Sequence, residues 1–208
     1  MSSTLLLILA ALVLLVALAA LVAAVVIVAA ARRRAAPGPA QPQDPFADQD
    51  HDAQRGDPRA LKAGDLVEIR GHTYAVRGTL RFNEGGWQWA EHLLDDPQGD
   101  KVWLSVEEDP DLELALWREV RHATVTPGAK TVDFDGRRYN SDESGRAAYT
   151  STGTTGLGAS GTMRYHDYEA HDGALLSFER YGDSETWEVG RGDKLGRYDV
   201  QIFPQATT

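Results

Sequence analysis

Two stretches of this chain follow one pattern. VEIRGHTY (67–74) and VDFDGRRY (132–139) both read Val-x-apolar-x-Gly-x-x-Tyr, 65 positions apart. In each, apolar residues alternate up to a glycine and resume beyond it. That is the signature of two short strands joined by a tight turn, with Gly71 and Gly136 at positive φ and Tyr74 and Tyr139 on the apolar face of the sheet. A chain that opens a hairpin twice in the same way is read as an internal duplication.

The echo continues in order. Trp89-x-Glu91 is answered by Tyr165-x-Asp167, and Leu104-Ser-Val-Glu107 by Leu176-Ser-Phe-Glu179. The surplus length of the second half falls in TSTGTTGLGASGT (150–162), where the first half has only NEGG (83–86). Segments of five to eight residues with period-two alternation, separated by Gly, Asp, Asn or Pro, continue to the C-terminus and read as antiparallel hairpins. LELALW (112–117) alternates as well, although its composition also suits a short helix. The predicted fold is an all-β soluble domain over 61–208, an antiparallel barrel or sandwich with halves of about 61–122 and 128–203. Gly71, Tyr74, Trp89, Gly136 and Tyr139 are its fold-defining positions. No 3.6-residue periodicity supports the crossover helices of a parallel sheet.

Ahead of this domain lie segments of different character. Residues 5–31 are 27 uncharged, strongly apolar positions, enough for one transmembrane helix. Residues 1–4 carry no charged side chain and Arg32–Arg34 follow the apolar run, so the positive charges fall on the side opposite to that of a cleaved signal peptide. The expectation is a single-pass cell-membrane protein with residues 1–4 outside, the lipid bilayer crossed by 5–31, and the domain in the cytoplasm. Residues 32–60 read as a basic stop followed by a disordered Pro/Asp/Gln linker.

Charge narrows the partners. The chain has 21 Lys and Arg against 31 Asp and Glu, and every acidic residue follows position 43. An acidic domain is a poor ligand for phosphates, so nucleic acid is excluded as a partner. With no cysteine there is no disulfide or thiolate chemistry.

The duplicated acids are the candidate site. Glu91 and Asp167 share strand parity with Trp89 and Tyr165, so each acid lies on the same face as its aromatic residue. If that face is inward, each carboxylate needs a partner, and Arg70, Arg77 or Arg81 could serve Glu91. Glu91, Glu107, Asp167 and Glu179 are therefore either structural ion pairs or ligands for a small cation or polyamine. GLGASG (156–161) matches a dinucleotide-binding signature but precedes a strand pattern, so it reads as a mobile hairpin loop. His166, Asp167, Glu169 and His171 cluster without common strand parity and read as a solvated turn, so no metal is assigned. No catalytic residue and no cofactor is assigned, because Ser105 and Ser177 lie within strands, away from any strained elbow.

Residues 61–109 resemble the bacterial domain of unknown function 4178 family. The resemblance rests on Gly64-Asp65, the Gly71 turn, Val76-Arg77-Gly78, Trp89-x-Glu91 and Trp103-Leu104-Ser105. The family usually places an aromatic residue after the Trp-x-Glu step, where this chain has His92. The resemblance implies a β-rich domain, often on membrane-linked bacterial proteins, with no settled activity. The first functional reading is a non-catalytic module that binds another protein. The alternative is an acidic domain binding a small cation or polyamine through the four acids, and an enzyme is the third.

Overall fold

The computed structural model describes residues 55–205. The expected outer tail, the transmembrane helix and the linker up to residue 54 lie outside the described residues. Among the described residues no helix is long and apolar enough to cross a membrane. The regular elements are eleven strands and two 3-10 turns, Pro58–Ala60 and Arg197–Asp199. The strands are β1 (Leu66–Ile69), β2 (His72–Glu84), β3 (Trp87–Asp95), β4 (Lys101–Glu108), β5 (Leu112–Glu119), β6 (Thr131–Phe134), β7 (Arg137–Gly153), β8 (Ser160–Ala170), β9 (Ala174–Tyr181), β10 (Glu188–Leu195) and β11 (Val200–Phe203).

Eight strands close a ring in the order β2-β3-β4-β5-β10-β9-β8-β7, with β7 returning to β2 and every pair antiparallel. The fold is thus the all-β antiparallel barrel of the two predicted alternatives. Strand β1 extends the sheet from the start of β2, and β6 does the same at the start of β7.

The repeated sequence pattern has matching registers in the two halves. Val67 faces Tyr74 across the first hairpin and Val132 faces Tyr139 across the second. Both turns place two residues at positive φ, Arg70 (50°) with Gly71 (81°) and Asp135 (49°) with Gly136 (75°). That is the turn whose twist matches a two-residue hairpin. Trp89 faces Glu107 as Tyr165 faces Glu179, and Glu91 faces Ser105 as Asp167 faces Ser177.

Each half has its own core, and the halves share a third. Val67, Tyr74, Leu94, Leu104 and Leu114 pack in the first, and Val132, Tyr139, Tyr168, Leu176 and Phe178 in the second. Each such side chain contributes about 1.5–3 kcal/mol on burial. The shared core lies inside the ring, where Leu80, Phe82, Tyr149, Met163 and Tyr165 meet Trp89, Trp103 and Tyr181. One extra residue moves a strand from its own core to the shared one. The register shifts between Val76 and Gly78 on β2, and between Ser141 and Ser144 on β7. A bulge inverts side-chain parity, so Tyr74 and Val76 point to the first core while Leu80 and Phe82 point into the ring. At the seam Gly78 pairs with Gly153. A Cβ on either would stand 2.5 Å from a carbonyl oxygen, that of Thr154 or Arg77, so the closure requires glycine on both strands.

LELALW is strand throughout, as its alternation reads, because the ring pairs it on both sides with β4 and β10. The last strand of the second half crosses to the first: β11 pairs with β1 and lends Val200 and Ile202 to the first core. The end of the expected disordered linker is folded: Pro58 is buried in a 3-10 turn, Arg59 binds Glu108 at 2.8 Å, and Arg197 donates to the Gly56 carbonyl. The GLGASG stretch lies in the β7–β8 hairpin loop and the first residues of β8, as expected of a hairpin. Thr154 N donates to Arg77 O at 2.8 Å, Ser151 N to Ala159 O at 2.9 Å, and no helix follows.

Candidate functional site

The parity set by the bulges and hairpins turns the duplicated acids into the ring. Glu91, Glu107, Asp167 and Glu179 all line one cavity of about 240 Å³, together with Glu84 and Glu143. Trp87, Trp89, Met163 and Tyr165 complete its wall, and none of its lining residues is Lys or Arg. Strands β3 and β8 face each other here, with the Trp89 and Tyr165 rings edge to face at 5.7 Å. Trp89 in turn stacks on Phe82 at 4.9 Å.

The expected arginine partners go elsewhere. Arg70 reaches Asp199 at 3.2 Å, Arg77 reaches Asp95 at 3.4 Å, and Arg81 donates to the Leu61 carbonyl at 3.2 Å. They sit on the side of the sheet away from the ring or beyond its end, so the acids have neutral donors instead. The Trp87 indole donates to Glu107 at 2.7 Å, and the Tyr181 hydroxyl to Glu179 at 2.7 Å. The Tyr165 hydroxyl donates to Glu84 at 2.7 Å and to Glu143 at 3.2 Å. Oδ1 of Asp167 is buried with no hydrogen-bond partner.

Confinement raises the proton affinity of these groups. Burial pushes the Asp167 carboxyl up to about 7; the Ser177 hydroxyl opposes the shift, and the Glu179, Glu143 and Asp142 charges add to it. Glu91, only 9% exposed, is raised well above the usual carboxylate range, by burial first and then by Glu179 and Asp167. Glu179 is raised by burial against the opposing Tyr181 hydroxyl, and Glu107 by burial against the Trp87 indole. An enclosed set of carboxylates without a basic partner holds protons unless a cation replaces them.

Two further spaces share residues with this cavity. Glu91 and Glu179 also wall a pocket of about 60 Å³ with Trp103, Trp117 and Glu188. Glu107, Glu143 and Asp167 also border a groove of about 340 Å³. A larger cavity, about 920 Å³, lies beside the Arg70–Gly71 turn and is lined by none of these acids. Its charges are of both signs and largely spent in pairs such as His72–Asp96 at 2.9 Å and Arg118–Asp193 at 3.6 Å.

The other sequence candidates separate. His166 packs edge-on against Trp187 at 5.4 Å, Glu169 binds Lys194 at 2.8 Å, and Asp167 faces the ring. The run from His166 to Ala170 is strand, not the solvated turn expected, and only His171 lies in the turn after it. Ser105 accepts the Trp117 indole at 2.9 Å. Sequence reasoning missed Glu84, Glu143, Trp87 and Tyr181. Each of these sits near a strand end or a bulge, where the two halves differ in length, so the repeat could not mark them.

Comparison with known proteins agrees with this picture and assigns it no activity. Uncharacterized proteins of Mycobacterium bovis and of Mycobacterium tuberculosis are each 40% identical to this chain over 154 residues, covering 71% of it and 73% of the relative. No solved structure matches. The family model described as "Domain of unknown function (DUF4178)" matches residues 62–197, which take in all eight strands of the ring with β1 and β6 and stop short of β11. The chain belongs to that family.

Proposed function

We propose that the domain is a non-catalytic binding module for an organic cation, an amine, held in the acidic cavity between its two halves. The observation that carries this reading is the gathering of six carboxylates and three aromatic side chains, Trp87, Trp89 and Tyr165, around one cavity with no basic residue in its wall. Carboxylates supply charge-assisted hydrogen bonds to an ammonium group, and indole and phenol faces add cation–π attraction of about 0.5–2 kcal/mol each. The spread of the carboxylates favours a cation larger than a single ion: among the described residues no three His, Asp or Glu side chains stand close enough to hold a metal. Residues 5–31 would hold the module at the bilayer with its cavity in the cytoplasm, as the position of Arg32–Arg34 suggests.

Calorimetric titration of the full chain with propylamine and with spermidine tests the reading. Binding should strengthen as pH rises from about 5.5 to about 8, because Asp167 loses its proton near 7 and a bound ammonium favours the carboxylate. Glu179→Gln should weaken binding at least tenfold, by about 1.4 kcal/mol or more. No heat from either amine at millimolar concentration would remove the proposal.

The protein-binding alternative draws on a smaller observation. Leu66 and Phe203, 36% and 39% exposed, face each other where β1 meets the free edge strand β11. A partner strand added there would depend on those two side chains and be indifferent to Glu179. Leu66→Lys, tested by pull-down against Glu179→Gln, separates the two readings.

A further inference from the structure

The acidic cavity does not end at its own wall. Glu107, Glu143 and Asp167 border both it and the groove of about 340 Å³, so a ligand that reaches these three acids touches both spaces. The groove adds Glu113, Asp142 and Glu169, and sets Leu112, Leu175 and Trp117 among them. Acidic and apolar side chains therefore line the two spaces together.

Three further facts point to a cation on this path. Glu107 stands directly opposite Glu113 across β4 and β5, and like charges facing each other in a sheet repel. The same opposition recurs in the second half, Glu179 against Glu188. Oδ1 of Asp167, where the two spaces meet, is buried without a partner. At the groove's far side the chain seats an ammonium of its own, with Lys194 Nζ donating to Glu169 at 2.8 Å.

We infer that the ligand is a linear polyamine with at least three ammonium groups, running from the cavity walled by Trp89 and Tyr165 past Glu107, Glu143 and Asp167 into the groove. The inference rests on the amine-site reading above and extends it. Ammonium groups separated by methylene runs match a lining in which carboxylates stand among Leu, Trp and Tyr side chains. A compact cation would use the cavity and leave Glu113 and Asp142 idle.

The test is a titration series on the full chain at pH 8 with propylamine, putrescine, spermidine, magnesium ion and a trilysine peptide. Affinity should climb with each added amine, and spermidine should exceed propylamine by at least two orders of magnitude. Glu113→Gln with Asp142→Asn removes two exposed charges of the groove that do not line the cavity. It should cost spermidine about tenfold, as two partly screened ion pairs would, and leave propylamine within about twofold. Lys194→Gln, which frees Glu169, should strengthen spermidine and not propylamine. If propylamine binds and spermidine is no tighter, or the double variant affects both equally, the inference fails while the amine site stands. If magnesium displaces spermidine at equal concentration, the groove is only a counterion sink, and the inference fails. Tighter binding of trilysine than of spermidine would also overturn it, in favour of a basic peptide. If no amine binds, the underlying site reading falls too.

Discussion

The two halves of the ring carry the same frame and solve one position differently. After the acid of the Trp-x-Glu step the first half has His92 and the second has Tyr168, both within 1% of complete burial. The Tyr168 hydroxyl leaves the second core to donate to Ala129 O at 3.1 Å and to accept from Gly128 N at 2.8 Å. His92 stays inside the first. Its Nδ1 meets the Thr79 hydroxyl at 3.0 Å, and Nε2 has no partner. Burial first, then Arg81, depresses the imidazole to about 3, so the ring is neutral at any physiological pH. The difference separates what the duplication preserves for packing from what it preserves for chemistry. Tyr74 and Tyr139 fill equivalent core sites, whereas Glu91/Asp167 and Glu107/Glu179 repeat a costly arrangement that packing alone does not call for.

The largest effect should come from the cores. Tyr74→Ala and Tyr139→Ala should each cost about 3–5 kcal/mol in chemical denaturation, with Tyr139, the more fully buried, at the upper end. A cost under about 1 kcal/mol in either half would break the equivalence of the two cores.

The acids should act in the opposite sense. Asp167 binds its proton more tightly folded, near 7, than unfolded, near the ordinary carboxyl value of 3.8. Its contribution is therefore fully present below about 4 and lost as pH rises to about 7. Without ligand the domain should lose on the order of 3 kcal/mol across that window, and Asp167→Asn should flatten the fall. Melting curves between pH 4 and 8 check this, and saturating spermidine should restore the lost stability at pH 8.

His92 gives a smaller slope of the other sign. Its folded value, about 3, lies below the unfolded one of 6.5, so its contribution is present above 6.5 and lost as pH falls. Between pH 6.5 and pH 5 the loss should be about 2 kcal/mol, and His92→Phe should remove it. The same melting series, run on that variant, isolates the acid limb.

The turns should show the smallest change. Gly71→Ala and Gly136→Ala should each cost about 1–2 kcal/mol, because both glycines hold positive φ with open space around them. Unequal costs would mean that one turn is held by its surroundings rather than by its own geometry.

How much of this was legible in the sequence follows the same division. VEIRGHTY and VDFDGRRY announced both hairpins, and their register is as the pattern requires. The repeat also marked four of the six carboxylates, because each stands at a matched position on a strand of fixed parity. Period-two alternation carries no information on which distant strands pair. The closure of β2 on β7, of β5 on β10 and the return of β11 to β1 were therefore invisible. Glu84 ends β2 and Glu143 lies in the bulge of β7, outside any matched position. The arginines fitted by sequence to Glu91 failed for a related reason: bulge and twist carry Arg77 and Arg81 away from the ring.

The central claim is that the duplicated carboxylates form a site for an amine. A crystal structure of the domain grown with spermidine at pH 8 measures it directly. The account predicts ordered density in the cavity beside Trp89, with an ammonium nitrogen within hydrogen-bonding distance of Asp167 or Glu179 and the chain of methylenes leading past Glu107. A cavity filled by water alone at saturating spermidine would contradict it.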